Sequence, residues 1–268
     1  MIQLHDPGLP ADEAEQLRKL QDDIDAIPDY AARVQQAKEK FKRRNTANDP
    51  LFRVVRQTLA RMCHGPVRCG YCEDSAADEV EHVRPKDLYP EVAFEWTNYL
   101  YACGPCNGPK NNRFAVFSRG TGAYVEVTRR SRQPVVPPEP GDPVLINPRL
   151  EDPLQYLEID LLDTFYFLPV ADAGSPEHRR AEYTIEVLRL NDRDFLVVAR
   201  RAAYGHYLRL LRDYVANKRA GSPSAMADLH HGIRWTNHRT VWKEMQRQKD
   251  TIPELRVLFD EAPEAMTA

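Results

Sequence analysis

Apolar residues recur at intervals of three and four along the first 62 residues of the chain. This spacing, seen for example at Leu17 and Ile24, places apolar side chains on one face of an α-helix. We predict three amphipathic helices here, over residues 11–26, 30–44 and 50–62. The N-terminal region is therefore expected to be helical.

The pattern changes between residues 63 and 118, where short elements alternate with Gly, Pro and Asn. A segment of this kind has few apolar residues with which to build a core, and a bound metal can replace that core. Residues 134–143 then hold five prolines in ten positions, which predicts an extended connector.

The C-terminal half mixes strand and helix patterns. β-Branched and aromatic residues predict strands over 144–148, 155–162 and 164–170. The predicted helices run from Ser175 to about Arg189, from Asn191 or Asp192 to about Lys218, and over about 236–248. The inner face of the second of these helices is predicted to carry Phe195, Val198, Ala202 and Leu208.

Composition narrows the class of protein without identifying it. With 42% hydrophobic and 29% charged residues, the chain is not collagen-like, of low complexity or wholly disordered. No run approaches the roughly 18 apolar residues of a membrane span. The first residues also lack the basic and apolar segments of a secretion signal. We therefore expect a cytoplasmic protein that does not bind membranes.

The formal net charge of −3 conceals an uneven distribution of charge along the chain. Residues 1–32 carry eight acids and two bases, whereas residues 33–68 carry ten bases and two acids. A solvated helix face is the ordinary explanation of such runs. Here the basic block leads directly into a cluster of cysteines, so local charge permits nucleic-acid binding there.

All five cysteines lie within 44 residues. Cys69 and Cys72 form one C-x-x-C pair, and Cys103 and Cys106 form a second pair after 30 intervening residues. Two such pairs can supply four thiolates to one tetrahedral zinc, and this closed set of ligands leaves no position for substrate. We therefore predict a structural zinc, with Cys63 outside the site.

Two other uses of the cysteines are disfavoured. Residues 103–106 spell the C-G-P-C of thioredoxins, but residues 107–109 (Asn-Gly-Pro) follow where a redox motif needs a helix within a βαβ unit. A zinc deaminase needs His-x-Glu and Pro-Cys-x-x-Cys. Here Arg84 stands two residues after His82, and Ala102 precedes the second cysteine pair.

Residues beside the cysteine pairs carry a family resemblance. The pair Glu81-His82, then Asn98, then Asn107 directly after the last cysteine, resembles the motif of the HNH (His-Me finger) endonucleases. The resemblance implies that Glu81 is an acidic metal ligand and His82 the general base. It also implies that Asn98 orders the loop and that Asn107 is the third catalytic residue and a metal ligand. Glu81 replaces the commoner Asp, and Asn107 replaces the eponymous His.

The chemistry of these residues is consistent with phosphodiester cleavage. Oxygen donors at Glu81 and Asn107 favour Mg²⁺ or Mn²⁺ over zinc at this second site. The imidazole of His82, with an ordinary pKa near 6.5, can accept a proton from water near neutral pH. Candidate phosphate contacts are Arg84, Lys86 and Lys110. Weaker candidate metal ligands are Glu73 and Glu79.

Over about residues 40–260 the chain looks like the HNH subunits that accompany an ATPase in bacterial anti-phage systems of the Septu and retron-associated kind. That resemblance implies a DNA-cleaving effector with an ATPase partner, a structural Zn²⁺ and a catalytic Mg²⁺ or Mn²⁺. The implied fold is α+β, with a zinc-stapled ββα-metal finger embedded in a mostly helical protein that has a few C-terminal strands. Three regions follow: 1–62 helical, 63–118 the nuclease core, and 119–268 mixed.

Two rival functions stay open. The first is a stand-alone HNH nuclease of the restriction or repair type, which needs no ATPase. The second is a zinc module that binds DNA or a protein without cutting.

Overall fold

A computed structural model describes residues 1–268 as a mixture of helices and small antiparallel sheets. The helices are α1 (Ala11–Asp25), α2 (Tyr30–Arg44), α3 (Pro50–Arg61), α4 (Gly104–Lys110), α5 (Pro176–Val187), α6 (Asp194–Arg219), α7 (Pro223–Trp235), α8 (Arg239–Arg247) and α9 (Pro253–Glu261). The strands are β1 (Glu79–His82), β2 (Tyr99–Ala102), β3 (Ala115–Ser118), β4 (Tyr124–Glu126), β5 (Gly141–Pro143), β6 (Leu157–Ile159) and β7 (Phe167–Pro169). No helix combines the length and apolar character that crossing a membrane requires.

The three N-terminal helices lie within one residue of their predicted bounds. Asp29 and Asp49 cap α2 and α3, because their carboxylates accept hydrogen bonds from the backbone N–H groups of Ala32 and Phe52. Local capping and the apolar spacing therefore explain both where these helices begin and which face they bury.

Strands β1 and β2 pair antiparallel, with His82 opposite Tyr99 and Glu79 opposite Ala102. Helix α4 begins two residues after β2. The resulting ββα unit lies between two apolar clusters. One cluster joins the hairpin to α1–α3 through residues such as Phe41, and the other runs from the four buried cysteines into the C-terminal helices. The packing around the unit thus comes from both ends of the chain.

The proline-rich connector ends in a strand. Its last three residues form β5, which pairs with one edge of β3 in the sheet of order β4-β3-β5. Gly141 is required at this place, because a Cβ there would lie 2.1 Å from the carbonyl oxygen of Phe117. An edge position also tolerates Pro143, which has no N–H to donate.

Two sequence predictions about the C-terminal half are wrong, and two of its helices were not predicted. Residues 144–148 are not a strand, although Val144 and Ile146 are buried there. Helices α7 and α9 were not predicted over their own ranges. In α6, Phe195 and Val198 are 50% and 65% exposed, and the buried face instead carries Leu196, Arg200, Ala203, Tyr207, Leu211, Tyr214 and Val215.

The error in α6 has a physical cause. The buried face includes an arginine and two tyrosines, which an apolar count does not select. Arg200 is 2% exposed and donates hydrogen bonds to the backbone oxygens of Phe165 and Leu190. Its charged head is therefore satisfied inside the protein while its aliphatic stem packs in the core.

Candidate active site

The four cysteines of the two C-x-x-C pairs converge on one point. Cys69, Cys72, Cys103 and Cys106 are all buried, and their sulfur atoms all lie within 4.8 Å of one another. The sulfur atoms of Cys72 and Cys103 are 3.8 Å apart. Since Zn–S bonds are about 2.3 Å long, a tetrahedral site requires sulfur–sulfur distances of about 3.8 Å. The donor set and its spacing therefore fit a structural zinc, as predicted.

An arginine from outside the cysteine segment contacts this cluster. Arg193, just before α6, is 8% exposed, and its guanidinium donates a hydrogen bond of 3.2 Å to the sulfur of Cys106. The same side chain is held by the backbone oxygens of Leu188 and Arg189. Four thiolates around Zn²⁺ carry a net charge of −2, so a buried cation against them stabilises the site. This contact was not predicted, because Arg193 lies 87 residues beyond Cys106.

His82 is the last residue of β1, and its ring packs against two aromatic side chains. Its ring packs edge-on against Phe41 of α2 at a centroid distance of 4.3 Å, and against Tyr99 of β2 at 5.2 Å. Nε2 lies 2.9 Å from the backbone oxygen of Ala93. A carbonyl oxygen only accepts hydrogen bonds, so Nε2 carries the proton and Nδ1 is the basic atom of the neutral ring.

Burial lowers the pKa of His82 well below its ordinary value, and the ammonium of Lys86 lowers it further. The imidazole is therefore neutral at neutral pH. Nδ1 makes no hydrogen bond within the chain, and His82 lines an open cleft. A neutral imidazole with a free basic nitrogen beside a cleft can accept a proton from a molecule bound there.

Glu81 precedes His82 and is 5% exposed. Burial raises the pKa of this carboxyl, and the ammonium of Lys110 acts in the opposite direction. Lys110, which ends α4, contacts Oε1 of Glu81 and donates a 2.8 Å hydrogen bond to the backbone oxygen of His82. Lys110 is completely buried. Its ammonium thus faces the protein interior, where it pins α4 to β1, and not the solvent, where we expected a phosphate contact.

Asn98 lies just before β2, and its side chain ties the connecting loop together. Its amide oxygen accepts a 2.8 Å hydrogen bond from the N–H of Arg84, and its amide nitrogen donates to the backbone oxygens of Arg84 and Val92. These three bonds hold the segment that follows His82 against the segment that carries Ala93. Asn98 therefore has the geometry of a residue that orders a loop, and it does not line the cleft beside His82.

Asn107 is in the second turn of α4 and lines the same cleft as Glu81 and His82. Its amide nitrogen donates a 2.6 Å hydrogen bond to Oε2 of Glu79. Because the nitrogen is engaged in this way, the amide oxygen is the atom left to face a ligand. Glu79 and Glu81 alternate with Val80 along β1, so both carboxylates are directed to the α4 side of the hairpin.

The cleft beside these residues has a volume of about 630 Å³ and a largely polar wall. Lys86 lines it, with its ammonium 5.0 Å from the centre of the Phe41 ring. Arg56 of α3 also lines it and was not singled out from the sequence. Arg84, by contrast, lies over the ring of Tyr89 and lines a different cleft. We call the cleft beside His82 the first cleft.

Glu73 is engaged elsewhere, which excludes it as a ligand in the first cleft. Its carboxylate contacts the Met1 ammonium at 2.9 Å and the hydroxyl of Thr240. Cys63 also lies outside the cysteine cluster, as predicted, with its sulfur 3.2 Å from the backbone oxygen of Arg68.

Comparison with known proteins finds similarity to the Septu protein PtuB of Bacillus thuringiensis, with 30% identity over 138 residues. The match covers 50% of this chain and 40% of the relative, so the chain spans less than half the length of that protein. No protein-family model matches the chain, and no solved structure matches it.

Proposed function

We propose that this chain is a divalent-metal-dependent HNH endonuclease that cleaves phosphodiester bonds in DNA. The observation that carries the proposal is the placement of His82 beside Glu81 and Asn107 in one open cleft, with Nε2 of His82 against the oxygen of Ala93 and Nδ1 without a partner in the chain. The ββα unit with its four-cysteine cluster supplies a rigid support for those three side chains.

In the proposed reaction, Nδ1 of His82 accepts a proton from water as the water oxygen attacks phosphorus. The bond from phosphorus to the 3′ oxygen breaks, so that one fragment ends in a 5′-phosphate and the other in a 3′ oxygen that takes up a proton from solvent. The oxygens of Glu81 and Asn107 would hold Mg²⁺ or Mn²⁺, which supplies Lewis-acid stabilisation of the charge on the phosphate and the departing oxygen. The hydrogen bond from Nε2 to the oxygen of Ala93 keeps the ring in the tautomer that this proton transfer needs.

Other residues of the first cleft would position the substrate. Lys86 and Arg56 present cationic side chains to the cleft and are suited to contact phosphates. Arg84 is a candidate for a more distant phosphate, since it faces another cleft. Glu79 orients the amide of Asn107, and Lys110 holds Glu81 at the end of β1.

The decisive experiment is cleavage of supercoiled plasmid by purified protein with Mg²⁺ or Mn²⁺. We expect His82→Ala to lower the rate by about 10²–10⁴-fold, because general-base catalysis contributes on that order. His206→Ala is the matched control, since His206 is exposed on α6 and outside the first cleft. Cleavage by His82→Ala at the wild-type rate would reject the catalytic assignment and leave a zinc module that binds without cutting.

We further propose that the nuclease is the effector of an anti-phage defence system in which an ATPase is its partner. The similarity to a Septu protein over half of the chain supports this role. If an ATPase is encoded beside this chain, expression of the two together should give a complex that co-purifies and protects cells from phage. Protection by the nuclease alone would favour the stand-alone restriction or repair function.

A further inference from the structure

A second cleft, of about 700 Å³, lies between the end of α3 and helices α7 and α8. Its charged side chains are all basic, and no aspartate or glutamate side chain lines it. Arg61, Arg234 and Lys243 lie in its wall and form no ion pair. Arg239 is also there, but its guanidinium is engaged by the backbone oxygen of Ile233 and by an oxygen of Ala268, the last residue, which also lines the cleft. Three cationic groups are therefore available to an anionic ligand.

The second cleft also presents an aromatic surface. Trp235 is 54% exposed, although a tryptophan usually buries most of its ring. The imidazole of His231 lies beside the indole at a centroid distance of 5.7 Å and an interplanar angle of 37°. Exposed aromatic rings interleaved with unpaired basic side chains match both halves of a nucleotide, because bases stack on the rings and phosphates bind the cations.

The walls of this cleft are held in place by a close backbone contact. Gly65, in the turn after α3, has φ +76, and a Cβ there would lie 3.2 Å from the oxygen of Arg234 and 3.3 Å from Cα of Trp235. A glycine is needed both for the left-handed backbone and for this approach. The turn and α7 can therefore meet closely enough to place Arg61 and Trp235 in one cleft.

Helix α3 connects the two clefts. Arg56 lines the first cleft and Arg61 the second, and the two residues are five positions apart, a rise of about 7.5 Å along the helix axis. Successive nucleotides of one strand are spaced by about 3.4 Å in duplex DNA, and more when the strand is stretched. A single strand that contacts both clefts must therefore pass partly around α3 as well as along it, because five positions also turn the two side chains about 140° apart.

We propose that the second cleft binds a single-stranded stretch of the nucleic-acid substrate, with a base stacked on Trp235 and phosphates on Arg61, Arg234 and Lys243. The proposal deepens the nuclease function above, in that the strand is the one to be cut in the first cleft. An unpaired strand is favoured over a duplex because only an unpaired base can leave its stack to lie on the indole.

The test is titration of the full chain with oligothymidylate, without added divalent ion, while tryptophan fluorescence is recorded. Trp242 is buried and Trp96 is partly buried, so quenching reports mainly on Trp235. We expect quenching on binding, and an affinity about 5- to 150-fold lower in Trp235→Ala. Trp235→Tyr should bind nearly as well as wild type with most of the quenching lost.

Salt dependence tests the phosphate contacts. Arg234→Ala and Lys243→Ala should each lower the slope of log affinity against log salt by ~0.7 for a single strand. Arg119→Ala is the matched control, because Arg119 is exposed and lines neither cleft. Thermal unfolding of each variant, measured alongside, identifies any that has lost its fold.

The outcomes separate this proposal from the nuclease function. Normal affinity and quenching in Trp235→Ala and Arg234→Ala would overturn the second-cleft proposal even if plasmid is cut. Quenching by oligothymidylate that is lost in Trp235→Ala, without any metal-dependent cleavage, would keep the second cleft as a single-strand site but reject the nuclease, and with it the role of that strand as a substrate. Quenching by polyglutamate but not by oligothymidylate would indicate an acidic protein as the ligand, and would overturn the proposal.

Discussion

The cysteine cluster and the first cleft lie on the same ββα unit. They differ in their exposure to solvent and in how far along the chain their supporting contacts come from. The four thiols come from two local pairs, are buried, and have no position open to substrate. The first cleft is open to solvent, and its key groups depend on partners from distant elements. Phe41 packs on His82, Ala93 fixes its tautomer, and Lys110 holds Glu81. The cluster is thus closed and formed from two local pairs, whereas the first cleft has an open side and depends on long-range support.

The largest effect of a substitution is expected in the four-cysteine cluster. Cys69→Ser removes one thiolate, and structural zinc contributes about 10–16 kcal/mol of apparent binding free energy in small zinc domains. We expect loss of about one tightly bound zinc per chain together with loss of the folded ββα unit. Metal analysis and thermal unfolding measure both. Cys63→Ser, outside the cluster, is the matched control and should keep its zinc. A zinc-loaded, normally folded Cys69→Ser protein would show that the cluster is not the zinc site.

The next largest effect should come from the buried ion pair that supports the first cleft. Lys110→Met leaves the carboxylate of Glu81 buried without its ammonium, and breaking a buried pair in this way costs about 3–5 kcal/mol. We expect the free energy of unfolding to fall by that amount while zinc stays bound. Chemical denaturation measures the change, with Lys42→Met on the exposed side of α2 as control. Unchanged stability would mean that Lys110 is not needed to hold Glu81.

A smaller effect is expected for Arg193, which contacts the cysteine cluster without being one of its ligands. Arg193→Ala removes the N–H donor to Cys106, and loss of an outer contact to a metal ligand typically lowers metal affinity by about 10–100-fold. Competition with a chromogenic chelator measures the zinc affinity. Arg189→Ala is the control, because the Arg189 side chain is half exposed and pairs only with Asp192. Equal zinc affinities in Arg193→Ala and wild type would leave Arg193 with a packing role alone.

The smallest effect is expected for Glu79, which accepts a hydrogen bond from the amide nitrogen of Asn107. Glu79→Gln exchanges a charged acceptor for a neutral one, and the difference of about 1 kcal/mol predicts a fall of about fivefold in cleavage rate. Initial rates at several Mn²⁺ concentrations measure it. Asp78→Asn, an exposed neighbour in the same cleft, should cleave at the wild-type rate. If both variants lose activity equally, the effect is one of net charge and Glu79 does not orient Asn107.

Sequence-based prediction succeeded where the information is local. Helical spacing placed α1, α2 and α3, and two C-x-x-C pairs indicated the cysteine cluster. It failed where burial depends on a distant partner. Residues 144–148 have strand-forming side chains but are not a strand, and Ile146 donates instead to the hydroxyl of Thr184. Strand propensity indicates which secondary structure a segment can form, and packing against other elements decides which one it does form.

The sequence by itself determined the chemistry available to this protein: four thiols at zinc-binding spacing, an acid-histidine pair, two asparagines, and a basic block that the net charge conceals. Tertiary structure decided how that chemistry is arranged. It buried Lys110 against Glu81 and brought Arg193 into contact with Cys106. It also formed the second cleft, with its basic side chains around Trp235. The reason is that spacing along the chain controls contacts within a turn or a strand, whereas contacts between residues far apart in sequence form only when whole elements pack together.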